Sequence, residues 1–88
     1  MSRIQLPGST QPNEAFGRAV RTFRIERGWS QEELAERCDM DRTYISGVER
    51  GRRNPTIQAI YRIGGGLGVL PSEILKIVEA ALASEDNG

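Results

Sequence analysis

Four side chains that can donate hydrogen bonds share one face of a short predicted helix: Arg42, Thr43, Ser46 and Arg50. An arginine at a helix start can fork onto the O6 and N7 acceptors of guanine, and a threonine can contact a base or a thymine methyl group. The face therefore favours base reading in a DNA groove. The alternatives to base reading are that Arg42 contacts only phosphate, that Thr43 makes a second capping contact, and that Ser46 is simply solvated. The side chain of Tyr44 is expected to lie half in the core and half on the wall of the groove.

A basic cluster follows the same helix at Arg50, Arg52 and Arg53. The whole chain has 12 basic and 12 acidic residues, and this balance argues against a protein that holds polyanions by bulk charge. The charge is unevenly distributed, because five arginines and one glutamate lie between residues 42 and 62, whereas four acidic residues and one lysine lie between residues 73 and 88. Beside a reading helix, the cluster is predicted to bind phosphates with a salt-dependent affinity.

Two helices joined by a tight turn must position these side chains. Ser30 is predicted to cap the first of them, over about Gln31–Arg37, and Glu33 completes a capping box. Asp41 is predicted to cap the second, over about Arg42–Arg50, which a glycine ends. So brief a turn makes the two helices cross steeply, and the second helix therefore presents one face outward.

The remaining periodicity predicts three more helices, and so an all-α fold of five helices. Asn13 is expected to cap the first helix and Thr56 the fourth, whose apolar residues are Ile57, Ile60, Ile63 and Leu67. Pro71 is expected to open the fifth. The expected helix bounds are about 13–27, 57–67 and 71–83. We predict a flexible arm over residues 1–12, a helical domain over residues 13–83 and a frayed tail over residues 84–88.

Two features of the last two helices are unusual. The run Gly64-Gly65-Gly66 lies inside the fourth helix, where each glycine costs roughly 1 kcal/mol relative to alanine, and it indicates close helix packing or early fraying. The fifth helix carries an apolar stripe that is wider than one core contact needs. We take the surplus as a dimer surface, formed by Ile74, Ile77, Val78 and Ala81.

Several classes of protein are disfavoured by what the sequence lacks. There is no histidine and one cysteine, Cys38, which is predicted to be a small buried core residue. The sequence has no apolar stretch of membrane-spanning length and no signal-peptide core at its start. We expect a soluble cytoplasmic protein with no metal, no cofactor, no membrane partner and no small-molecule ligand.

Three runs resemble the helix-turn-helix domain of the phage repressor and Cro family, often called the XRE type. They are the RxxRGWSQEELA-like run at Arg24–Ala35, YISGVERG at Tyr44–Gly51 and RRNPT at Arg52–Thr56. All three occur in order and at family spacing, and the resemblance covers about Phe16 to Leu75. The stretch DRTYISGVERGRRNPTI also resembles the controller proteins of restriction-modification systems.

The resemblance implies a lambda-repressor-like fold in which the third helix enters the major groove of double-stranded DNA. By position, it implies base contacts from Arg42, Thr43, Tyr44 and Ser46. It implies sugar-phosphate contacts from Gln31, Arg50, Arg52, Arg53 and Asn54. Arg24 and Glu49 match a structural ion pair between the first and third helices.

Three departures from the family pattern accompany these matches. Gly47 occupies a position where many relatives read a base with a side chain. The glycine triplet replaces an ordinary helical segment, and Leu70 stands where a polar helix cap is usual.

The leading hypothesis is a sequence-specific DNA-binding transcriptional regulator that binds a pseudo-palindromic operator as a homodimer. The alternative is a protein-interaction module of the same fold, such as an antitoxin or adaptor. An enzyme is disfavoured, because the carboxylates lie mostly on solvated helix faces and no Cys/His cluster exists.

Overall fold

The structure, a computed structural model, describes residues 11–87, with side chains described as far as Ser84. Its five helices are α1 (Pro12–Glu26), α2 (Gln31–Cys38), α3 (Arg42–Glu49), α4 (Ile57–Leu67) and α5 (Pro71–Asn87). Residues 11–87 contain no β-strand, so the predicted all-α class with five helices is confirmed. The arm predicted over residues 1–12 lies outside the described residues, except for its last two.

Local capping explains where three of the helices begin. The Ser30 hydroxyl accepts a hydrogen bond from the backbone N–H of Glu33 at 3.1 Å, and the Glu33 carboxylate accepts one from the backbone N–H of Ser30 at 2.9 Å. This is the predicted capping box at the start of α2. Asp41 caps α3 and Thr56 caps α4, each by accepting a hydrogen bond from a backbone N–H of the first turn, as predicted.

The start of α1 differs from the prediction. Gln11, not Asn13, is the N-cap residue, because Pro12 fits the first helical position and Glu14 accepts a hydrogen bond from the Gln11 N–H at 3.1 Å. The Asn13 side chain is used elsewhere, since its amide donates to the carbonyl of Gly51 at 2.7 Å. The first turn of α1 therefore holds the end of α3 in place.

The hydrophobic core collects at least one fully buried branched side chain from each helix, and these are Val20, Leu34, Ile45, Val48, Ile63 and Ile74. Burying one such side chain contributes about 1.5–3 kcal/mol relative to leaving it exposed. Helix α1 packs on α3 and α5, and α2 packs on α3 and α4. Cys38 is buried in this core as predicted. Ile57, the first residue of α4, is 69% exposed although it is apolar.

The glycine run does not fray α4, which continues through it to Leu67. A Cβ on Gly66 would lie 2.5 Å from the Cys38 sulfur and 3.1 Å from the backbone carbonyl carbon of Arg37. A Cβ on Gly65 would meet no atom within 4 Å. Close packing between α2 and α4 is thus the reason for glycine at position 66, and one of the two alternatives left open by the sequence is confirmed there.

Helix α5 corrects the expected dimer surface. Ile74 is fully buried and Val78 is nearly so, because both pack in the core of the same chain. Neither side chain exposes more than 6% of its surface. Ile77 is 45% exposed and Ala81 is half-buried, so only these two of the four residues reach the surface. The helix also runs to Asn87, beyond the predicted end near Ala83.

Arg27 and Leu70 make contacts at helix ends. The Nε of Arg27 donates to the carbonyl of Leu67 at 2.9 Å and so joins the end of α1 to the end of α4. The N–H of Leu70 donates to the Glu73 carboxylate at 2.7 Å, which replaces half of a capping box without a polar cap residue. Among the described helices, none is both long enough and apolar enough to span a membrane.

Candidate nucleic-acid interface

Helix α3 meets α2 through a turn whose geometry is set by one left-handed residue. Asp39 has φ +55°, and the N–H of the next residue, Met40, donates to the carbonyl of Ala35 at 2.9 Å. These two features satisfy the last carbonyls of α2 and redirect the chain within three residues. Asp41 then starts α3 by accepting a hydrogen bond from the Thr43 N–H at 3.2 Å. The turn therefore fixes where the first residues of α3 lie.

The outward face of α3 begins with the two residues predicted to meet base edges. Arg42 and Thr43 are both exposed. Tyr44 and Ser46 are half-buried, so they border this face rather than project from it. On the opposite side of α3, Ile45 and Val48 are inside the core and hold the helix against α1 and α2. The face thus presents a cationic fork and a hydroxyl at its N-terminal end.

A buried carboxylate at the end of α3 secures the helix. Glu49 accepts hydrogen bonds from Arg24 Nε at 2.7 Å and from Arg24 Nη2 at 2.9 Å, so the ion pair suggested by the family resemblance is present. Its Oε1 atom also accepts one from Gln31 Nε2 at 3.0 Å. The hydrogen bond to Glu49 raises the pKa of Arg24 above its ordinary value.

The Gln31 contact was not foreseen from the sequence. Gln31 was assigned to a phosphate by its position at the start of α2, and it does open that helix. In the structure its side-chain amide points to Glu49 and is half-buried. A phosphate contact would have to use the second amide hydrogen or the backbone N–H. No sequence signal distinguishes this arrangement, because the two residues are 18 positions apart.

The basic cluster lies in the loop that leaves α3. Gly51 adopts φ +74°, and the N–H of Arg52 donates to the carbonyl of Gly47 at 2.9 Å, which folds the loop back along α3. Arg50, Arg52, Arg53 and Asn54 are all exposed. Three cationic side chains are therefore exposed at the end of α3 and in the loop that follows it.

One contact within this cluster had no sequence signal. The side chain of Arg53 lies on Gly47, so that a Cβ built on Gly47 would be 2.9 Å from Arg53 Cγ and 3.0 Å from Nε. The Arg53 guanidinium carbon lies 5.3 Å from the centroid of the Tyr44 ring. Arg53 thus crosses the surface of α3, whereas Arg50 and Arg52 are not placed in this way by any described contact.

Metal binding has no support at this interface. In the described part of the chain, no three side chains of the His, Cys, Asp and Glu types come together in a group that could hold a metal ion. The chemistry available to the face consists of hydrogen-bond donation and positive charge.

Comparison with known proteins gives the same picture. The family model described as Helix-turn-helix matches residues 20–74. The Neisseria hypothetical transcription factor from Neisseria meningitidis serogroup B is 43% identical over an alignment of 79 positions, and the alignment covers 84% of this chain and 74% of that protein. The control protein C.BamHI from Bacillus amyloliquefaciens is 48% identical over 61 residues, which are 68% of this chain and 75% of that protein.

A solved structure extends the similarity to the fold. The restriction-modification controller protein C.AhdI from Aeromonas hydrophila superposes with a TM-score of 0.69 at 39% sequence identity. The superposition covers 70% of this chain and 94% of that one.

Proposed function

The chain belongs to the helix-turn-helix family of DNA-binding regulators, and from that premise we propose that it reads a pseudo-palindromic operator sequence as a homodimer. The observation that carries the proposal is the exposed N-terminal end of α3, where Arg42 and Thr43 project from a helix whose other side is fixed in the core. A helix of this kind fits the major groove, and its first residues are the ones that reach base edges.

Base reading requires that α3 keep its orientation when it meets DNA. The Glu49 carboxylate provides this, because it is hydrogen-bonded at once to Arg24 of α1 and Gln31 of α2. Docking a preformed helix avoids the entropic cost of ordering it on binding. The specificity of the protein therefore comes from a small set of side chains on a rigid support.

Phosphate contacts would supply most of the affinity. Arg50, Arg52 and Asn54 lie exposed in the loop after α3, where they can reach the sugar-phosphate backbone that borders the groove. Each phosphate neutralised releases counterions and steepens the salt dependence of binding by about 0.9 in log–log slope. The overall net charge of zero makes this local cluster, rather than bulk charge, the source of attraction.

The second copy is proposed to pack against α5 and the adjoining part of α4. Leu75 of α5 is 38% exposed and lines an apolar groove of about 350 Å³ together with Ile60, Pro55 and Phe16. Ile57 and Tyr61, four residues apart on α4, are also exposed large apolar side chains. Because the groove joins α5 to Ile60 of α4, and α4 carries these further exposed apolar side chains, we place the dimer contact here.

The relatives suggest the biological setting. Because relatives named as a control protein and a restriction-modification controller protein share 48% and 39% of aligned residues with this chain, we propose the same role for it. In that role it acts on DNA in the cytoplasm, without catalysing a reaction. One observation also supports the alternative of a protein-interaction module, because the apolar surface of α4 and α5 could equally bind a different protein.

The experiment is selection of bound sequences from a random duplex pool with the purified protein at near-physiological salt. Enrichment of an inverted repeat with half-sites about 34 Å apart, one helical turn, supports the proposal. Arg42→Ala should then lose preference at a particular base pair. Arg18→Ala, which removes the same charge from an exposed position on α1, should leave every preference unchanged. Absence of any enriched motif would favour the interaction module.

A further inference from the structure

The side chain of Arg53 covers a position on α3 that has no side chain of its own, Gly47. Gly47 lies one helical turn after Thr43 on α3, so a side chain at position 47 would share the outward face with Thr43. Position 47 has no side chain, yet it is buried, and what covers it is the stem of Arg53. The surface of α3 at position 47 is therefore covered by the side chain of a loop residue, Arg53.

The loop geometry explains how Arg53 reaches this position. The left-handed turn at Gly51 and the hydrogen bond from the Arg52 N–H to the Gly47 carbonyl return the chain to the side of α3. Arg53 then lies flat across the helix, with Cγ and Nε against the space that a Cβ at position 47 would need. Any L side chain at position 47 would compete with it.

Tyr44 makes a second contact with the Arg53 side chain. The guanidinium of Arg53 is 5.3 Å from the Tyr44 ring centroid, within the range in which a cation is attracted to an aromatic face. Here the stem and the head are both held against the part of α3 that faces the bases.

We propose that Arg53 reads a base edge and that Gly47, which has no side chain, is the slot in which the Arg53 side chain lies. The inference rests on the proposed function and revises the phosphate role assigned to Arg53 by position. The planar guanidinium suits the O6 and N7 atoms of guanine, which accept a bidentate pair of hydrogen bonds. Arg53 thus supplies from the loop the base contact that a side chain at position 47 would otherwise make from the helix.

The test compares four proteins on the selected operator and on its single base-pair variants, by fluorescence anisotropy at two salt concentrations. The proteins are the wild type, Arg53→Ala, Gly47→Ala and the charge-matched control Arg52→Ala. Arg53→Ala should lose about 5- to 140-fold of discrimination at one guanine-containing base pair, the range expected for a bidentate contact. Arg52→Ala should weaken binding by one common factor for every duplex.

Gly47→Ala separates the slot from the folding of the helix. Alanine is the better helix former, so thermal unfolding followed by circular dichroism should show a melting temperature no lower than that of the wild type. The new Cβ would displace Arg53, and discrimination should fall at the same base pair that Arg53→Ala affects. If Gly47→Ala keeps its preference there, Gly47 is not a slot.

The outcomes also separate this inference from the function on which it rests. A uniform loss for Arg53→Ala across all duplexes, with a salt slope lowered by about 0.9, would make Arg53 a phosphate contact and overturn the inference alone. A wild-type protein that prefers no duplex would overturn the proposed function and this inference together.

Discussion

Arg24 and Glu49 join the last turn of α1 to the last residue of α3 through two parallel hydrogen bonds, of 2.7 Å and 2.9 Å. The Glu49 side chain is 2% exposed and that of Arg24 is 12% exposed. Burial makes the paired state strongly preferred over one charge alone, since a lone buried carboxylate pays its desolvation cost without compensation. Because Gln31 donates to the same carboxylate, one side chain sets the relation of three helices.

Glu49→Ala is expected to lower the free energy of unfolding by about 3–5 kcal/mol, because it leaves the Arg24 charge without its partner. Urea denaturation followed by circular dichroism measures the change. Glu36→Ala, on the exposed side of α2, is the control and should stay within about 0.5 kcal/mol of the wild type. Equal stability of the two variants would show that the ion pair contributes little.

Gly66→Ala and Gly65→Ala should change stability in opposite directions, although both replace a glycine in the same turn of α4. At Gly66 the new methyl group would collide with the Cys38 sulfur and the α2 backbone, and overpacking of this kind costs about 1–3 kcal/mol. At Gly65 the methyl group would point into open space, and the gain in helix propensity is about 1 kcal/mol. Thermal melts of both variants would test this, and a stabilised Gly66→Ala would contradict the packing described.

Cys38 should make stability fall at alkaline pH. Burial raises the pKa of its thiol from 9.0 to about 11, so the folded protein keeps a proton that the unfolded chain loses. The contribution is complete below about pH 9 and decreases towards pH 11, by at most about 1.4 kcal/mol per pH unit. Urea unfolding at pH 8, 9 and 10 should show a steeper decline for the wild type than for Cys38→Ala. Parallel declines would refute the assignment.

Leu75→Glu should convert the proposed dimer to a monomer, because it places a charge in the apolar groove between α5 and the loop before α4. Sedimentation velocity over a range of concentrations gives the oligomeric state. Ile77→Glu is the matched variant, since the same charge is introduced two residues away at a site that is 45% exposed on the other side of α5. A dimer lost with Ile77→Glu and kept with Leu75→Glu would move the interface to that side.

The sequence predicts best those features that depend on residues close together in the chain. The caps at Ser30, Asp41 and Thr56 are bonds between residues two or three positions apart, and all three are present. The cap at Asn13 was wrong for an instructive reason. Its amide donates a hydrogen bond to the carbonyl of Gly51, which is 38 positions later in the chain, while Pro12 and Glu14 start the helix at Gln11.

Predictions about which surface a side chain occupies were less successful. Periodicity placed Ile74 and Val78 correctly on one stripe of α5, but it could not show that α1 and α4 cover that stripe. The same limit applies to Gln31, whose partner Glu49 comes from another helix. The exposure of Arg42 and Thr43 was easier to predict, because a capped short helix with a buried opposite side leaves its first residues exposed.

The contact between Gly47 and Arg53 has a consequence for how the protein could evolve. A new side chain at position 47 would not simply add one more contact to DNA, because it would displace the Arg53 side chain that already lies there. The effects of substitutions at the two positions are therefore expected to be non-additive, as for residues in direct contact. A change of operator preference would then pass through paired replacements, and positions 47 and 53 should covary among descendants that recognise different sequences.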